Sequence, residues 1–171
     1  MAEGHAPSAV RLRPATGQDG FLLRRWLSDP ATQACSGNRA SAEAEIALAR
    51  LSETALRRIV TCEARPIGYA LAMEAAAPAA AQTADVPPGT WETQLWIAPS
   101  RACVLAAVPA LLAAEVFSTT LAIACSGLIS IRQEMMVRAY ERAGFRWRRI
   151  WHDPLFGPAW LMLKERPPAR A

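Results

Sequence analysis

Apolar and polar residues change their spacing several times along the chain, and each change marks an element. Residues 10–13, VRLR, alternate as a strand does. Thr16-x-x-Asp19 is a capping-box pattern with Asp in place of the usual Glu. It introduces an amphipathic helix bearing Phe21, Leu22, Leu23, Trp26 and Leu27, which stops near Asp29-Pro30. A second helix is predicted from Ser41 to about Leu51, with Glu43 and Glu45 beside its positive end.

Two β segments follow, RRIVTCEA (57–64) and IGYALAME (67–74), and Arg65-Pro66 between them predicts a hairpin. Residues 75–89 are rich in Ala and Pro and read as a flexible loop. TWETQLWIA (90–98) alternates again, with Glu92, Gln94 and Trp96 on one face and Thr93, Leu95 and Ile97 on the other. It runs through Ser100-Arg101 into an Ala/Leu helix, roughly 103–118, then a strand within 120–129. RQEMMVRAYERAGF is the clearest helix: Met135, Met136, Ala139, Tyr140 and Ala143 share a face, and Gly144 is a natural stop. FRWRRIWH and AWLMLK close the chain as strands joined around Asp153-Pro154 and Gly157-Pro158. The order predicts an α/β fold: a mixed, mostly antiparallel central sheet of about six to seven strands with helices on both faces.

Length and composition narrow the class. At 171 residues, 52% hydrophobic and 20% charged, the chain reads as one globular domain over 1–171, with 1–9 and 166–171 as disordered tails. Between Ala102 and Ile131 the only charge is Glu115, which raises a membrane span. Pro109, Ser118-Thr119-Thr120, Ser126-Gly127 and the weight of alanine favour a buried helix and strand instead, so no membrane partner is expected. The net charge of +4 is concentrated in Arg138, Arg142, Arg146, Arg148 and Arg149. Such a cluster is first a solvated face and second a site for phosphate-bearing ligands, with nucleic acid the weaker expectation. Cys35, Cys62, Cys103 and Cys125 form no CxxC pair, only His5 and His152 could join them, and no metal site is expected. The N-terminus has no signal-like apolar core, so reduced thiols and a cytoplasmic location are expected.

Four stretches together resemble the GNAT superfamily of acyl-CoA-dependent N-acyltransferases: VRLRPAT with its helix, EARPIGYAL, ETQLWIAP and AYERAGFRW. They span roughly residues 10–165, and YERAGF behind WIAP is the most specific. The resemblance implies transfer of an acetyl or other acyl group from acyl-CoA to an amine of a small molecule or protein. It implies Tyr140 as the acid that protonates the departing thiolate and Glu92 as the base for the amine, with Gln94 nearby. Read from the residues alone, Tyr140 is equally a core tyrosine and Glu92 a solvated strand residue.

The same resemblance places acetyl-CoA or another acyl-CoA against Trp96 and Ile97, the turn Arg101-Ala102-Cys103-Val104-Leu105-Ala106, and Gln133. Trp26, Trp151, Phe156 and Trp160 would wall the acceptor side, with His152 nearby. Val104 stands where the family's first phosphate-turn glycine is usual, and a β-branched residue resists positive φ. Pro109 either interrupts the next helix at a cost of about 3 kcal/mol or begins it. These departures support a second reading: a degenerate GNAT-fold protein that no longer binds acyl-CoA and serves as a binding or regulatory module. A homodimer or a protein partner is compatible with either. Only five acidic residues follow Thr93, which argues against a polycationic aminoglycoside as acceptor.

Overall fold

The structure, a computed structural model, describes residues 10–30, 32, 39–75, 86–97, 105–153 and 157–168. The elements run β1 (Val10–Pro14), α1 (Gly20–Ser28), α2 (Arg39–Leu51), β2 (Leu56–Cys62), β3 (Arg65–Glu74), β4 (Thr90–Ile97), α3 (Val108–Thr119), β5 (Ala124–Ser130), α4 (Glu134–Arg142), β6 (Arg146–Asp153) and β7 (Gly157–Glu165). The seven strands form one sheet in the order β1-β2-β3-β4-β5-β7-β6, in which β4 and β5 alone are parallel. The expected element order and fold class are therefore observed.

The alternation of side chains divides the core in two. Val60, Ala70, Leu95, Cys125, Ile129 and Met162 face α3 and α4, in the larger apolar cluster. Ile59, Tyr69, Leu71 and Trp96 face the other way, onto Leu27 of α1 and Ala42, Ile46 and Ala49 of α2. The capping box forms as read: Thr16 N–H donates to Asp19 Oδ2 at 2.8 Å. Arg13 completes the carboxylate's shell with contacts of 2.6 and 3.0 Å, which ties β1 to the start of α1.

Several boundaries differ from expectation, for physical reasons. The hairpin turns at Glu63-Ala64, with φ of 50° and 63°, and not at Arg65-Pro66. Arg65 and Pro66 already pair with Cys62 and Thr61, and the proline is accommodated beside a register shift at Val60/Thr61. Helix α2 begins two residues before Ser41, at Arg39. Helix α3 begins at Val108 and not near 103, so Pro109 sits in its first turn, where no intrahelical N–H is lost. Glu115, the lone charge of the apolar stretch, accepts from Arg58 Nε of β2 at 2.7 Å. No helix among the described residues is long and apolar enough to cross a membrane.

Arg166 was expected to open a loose tail; it is anchored. Its guanidinium donates to the carbonyls of Phe117, Thr120 and Ala122 at 2.5, 2.7 and 2.7 Å, closing the end of α3. Residues 1–9, 76–85 and 169–171, also expected to be loose, lie outside the described residues.

Candidate active site

The site is built where two parallel strands part. β4 pairs with β5 over only three rungs, Thr90 with Ala124, Trp91 with Cys125 and Glu92 with Ser126. Beyond them β4 continues along β3 and β5 along β7, so the sheet opens into a fork. Thr93 closes the fork's base: its Oγ1 donates to the Ser126 carbonyl at 2.8 Å. The hydroxyl of Tyr140, from α4, donates to the Thr93 carbonyl at 3.3 Å and lies 3.2 Å from Thr93 Oγ1.

Three features fix the Tyr140 ring. It shares the buried face of α4 with Met136 and Ala139, meets Phe145 edge-on at 4.7 Å, and closely approaches Gly127. A Cβ on Gly127 would stand 2.5 Å from Tyr140 Cε1, so this glycine is required by close approach rather than by its dihedrals. Lys164 Nζ donates to the Ala143 carbonyl at 2.6 Å and Gly144 takes a φ of 89°, which together stop α4 just past the tyrosine. Burial holds the Tyr140 phenol above its ordinary range; Thr93 lowers it in part, and Cys125 and Glu92 add to the rise. Burial likewise pushes the neighbouring Cys125 up to about 12, so it stays a thiol.

The opposite face of β4 carries Glu92, Gln94 and Trp96. Glu92 and Gln94 are half-buried, and Gln94 Nε2 donates to Glu92 Oε1 at 3.3 Å. Trp96 is buried beside Tyr69, with ring centroids 5.6 Å apart. Gln94 Oε1 and Trp96 Nε1 are buried without a hydrogen-bond partner. Gly68 lets β3 pass this close, since a Cβ there would stand 2.4 Å from the Trp96 carbonyl oxygen.

Glu92 and Tyr140 thus flank the fork from opposite faces of the sheet, one residue apart along β4 through Thr93. Trp26 packs against the cluster beneath α1 and α2, on the Glu92 face. Trp151 shares that face by its pairing with Ala159, under the Arg149 guanidinium at 5.0 Å. Trp160 does not join them: it pairs with Ile129 and packs on the larger cluster, edge-on to Trp147 at 5.7 Å. His152 is exposed near the end of β6. Ile97 is buried on the α3 side, Leu105 is buried and Ala106 half-buried just ahead of α3, and Gln133 stands immediately before α4 without a side-chain capping bond. Arg101, Ala102, Cys103, Val104 and Phe156 lie outside the described residues. Thr93 and Gly127 escaped the sequence reading; a threonine amid Leu95 and Ile97 on an apolar face was the available signal for the first.

A family model described as an acetyltransferase (GNAT) domain matches residues 16–152. Among solved structures, the aminoglycoside acetyltransferase AAC(6')-Ib in complex with coenzyme A aligns with a TM-score of 0.77 at 23% identity, over 92% of this chain and 95% of that one. Spermidine N-acetyltransferase from Vibrio cholerae, in complex with CoA and spermine, aligns at 0.68 and 12% identity over 91% and 95%. Mycobacterium smegmatis RimJ, in complex with CoA-disulfide, aligns at 0.69 and 15% over 91% and 81%. At these identities the likeness is one of fold. No curated protein matches the chain in sequence.

Proposed function

Since the chain belongs to the GNAT family of acetyltransferases, we propose that it transfers an acetyl or other acyl group from acyl-CoA to an amine of a small molecule or a protein. The observation that carries this reading is the Tyr140 hydroxyl, held at the base of the fork by Thr93. The co-substrate supplies a thioester. On this reading the parted edge of β4 from Thr93 to Ile97 offers main-chain groups to its amides and carbonyl. Because β4 and β5 are parallel, α3 and α4 both begin near the sheet end at which the strands part. Their N-termini suit a diphosphate, with Arg101 to Ala106 and Gln133 as the residues that would hold it.

Glu92 takes a proton from the attacking amine on its face of the sheet. As the C–N bond forms and the C–S bond breaks, Tyr140 gives its hydroxyl proton to the departing sulfur, and the products are an amide and a free thiol. At neutral pH the hydroxyl carries its proton, and burial, by raising its pKa, makes it a weaker acid that gives up the proton only as negative charge builds on the sulfur. Trp26 and Trp151 share the Glu92 face and would border the acceptor. The scarcity of acidic residues after Thr93 argues against a polycationic acceptor.

One observation favours the second reading, a binding or regulatory module that no longer takes acyl-CoA. Tyr140 is only 2% exposed and its hydroxyl is satisfied by Thr93, as a core tyrosine would be. Thermal melting with and without acetyl-CoA separates the two. Cofactor at a hundred times its dissociation constant stabilises by about 2.7 kcal/mol, a visible shift, whereas no shift at millimolar cofactor selects the module.

A further inference from the structure

Along one face of β4, Glu92 is followed by two buried atoms without a hydrogen-bond partner, Gln94 Oε1 and Trp96 Nε1. Glu92, Gln94 and Trp96 point to one face, about 6.8 Å apart from one to the next along the strand. The row runs inward, from half-buried Glu92 and Gln94 to Trp96, which is 4% exposed. The Gln94 amide is oriented by its neighbour: an ionised carboxylate only accepts, so Nε2 faces Glu92 and Oε1 is left to face elsewhere. Gln94 Oε1 is therefore a fixed acceptor and Trp96 Nε1 a fixed donor, both buried and both unpaired. Such groups are costly to keep unless something pairs with them.

We propose that Gln94 Oε1 and Trp96 Nε1 bind an uncharged hydroxyl or carboxamide group of the acceptor amine, with the amine itself at Glu92. The proposal rests on the acyltransferase reading for the role of Glu92. The chemistry of the pair sets the ligand class. An anion is repelled by the Gln94 oxygen and by the Glu92 carboxylate, and a cation by the indole N–H. A hydroxyl or a carboxamide both donates and accepts, and satisfies the two atoms together. The acceptor is then an amino alcohol or an amino amide and not a plain alkylamine or a polyamine.

The test is an NMR titration of the full chain with propanolamine, β-alanine amide and butylamine, following the indole N–H signals. Trp96→Phe identifies the Trp96 signal by its loss. The expected result is a downfield shift of that signal with the first two amines and none with butylamine. In Trp96→Phe and, separately, in Gln94→Leu, affinity for the first two amines falls about tenfold. An indole signal that none of the three amines moves, as for a pair satisfied by a trapped water only, overturns the proposal. So does an equal response to butylamine, or unchanged affinity in both variants. Coenzyme A binding is read in the same spectra. Its absence alongside a shift by the amino alcohol defeats acyl transfer but not the polar-group site, and its presence without any Trp96 shift does the reverse.

Discussion

The hydroxyls of Tyr140 and Thr93 lie 3.2 Å apart where the pairing of β4 with β5 ends. Thr93 spends its own proton on the Ser126 carbonyl at 2.8 Å, so the Tyr140 proton is directed back to Thr93. One threonine thereby joins β4, β5 and α4 at the first position past their last shared rung. The same contact holds the proposed acid still and keeps the fork from opening further.

Replacing Thr93 by valine keeps shape and β-branching but removes that junction. The Ser126 carbonyl loses its side-chain donor in a buried place, and the Tyr140 hydroxyl keeps only the Thr93 carbonyl. A loss of about 1–3 kcal/mol is expected, read as a lower urea midpoint at unchanged slope. An unaltered midpoint would mean that the bond carries no stability.

Gly127→Ala acts on the tyrosine from below. The new methyl would sit 2.5 Å from a ring carbon, and the ring is hemmed by Phe145 on another side. Overpacking of this kind costs about 1–3 kcal/mol. The displaced hydroxyl should also depress acyl transfer more than it depresses coenzyme binding, which steady-state kinetics beside calorimetry would resolve.

Acid sensitivity should trace to Asp19. Hydrogen bonds from Arg13 hold its carboxyl well below the ordinary range, against burial, which raises it, and with help from Thr16. A depressed folded value contributes stability that is fully present above the ordinary carboxylate pKa and is lost as pH falls from there through the folded value. Wild-type stability should therefore begin to fall near about pH 4. Asp19→Asn should cost about 1–3 kcal/mol at neutral pH, with the gap to wild type closing on acidification. Parallel pH curves for the two proteins would contradict this.

Much of the fold was legible because it rests on local periodicity. The alternation of residues 90–98 assigned Glu92, Gln94 and Trp96 to one face, and the structure places them there. What escaped depends on tertiary register. The turn at Glu63-Ala64 uses two non-glycine residues at positive φ, so the visible Arg65-Pro66 drew the prediction instead. The pattern placed the fifth strand only somewhere within 120–129, and the pairing of Ser126 with Glu92 on one side and Leu163 on the other sets its register. That pairing also creates the fork, which no composition or spacing encodes. Arg166 lies beyond the last periodic segment, and its three carbonyl partners are more than forty residues away in sequence.

The central claim is that Tyr140 protonates the departing sulfur. Thiol release from acetyl-CoA, measured with an accepted amine for the wild type and Tyr140→Phe, tests it most directly. The account predicts a kcat lower by about 10²–10⁴-fold with acetyl-CoA affinity nearly unchanged. Equal turnover in the two proteins would contradict it.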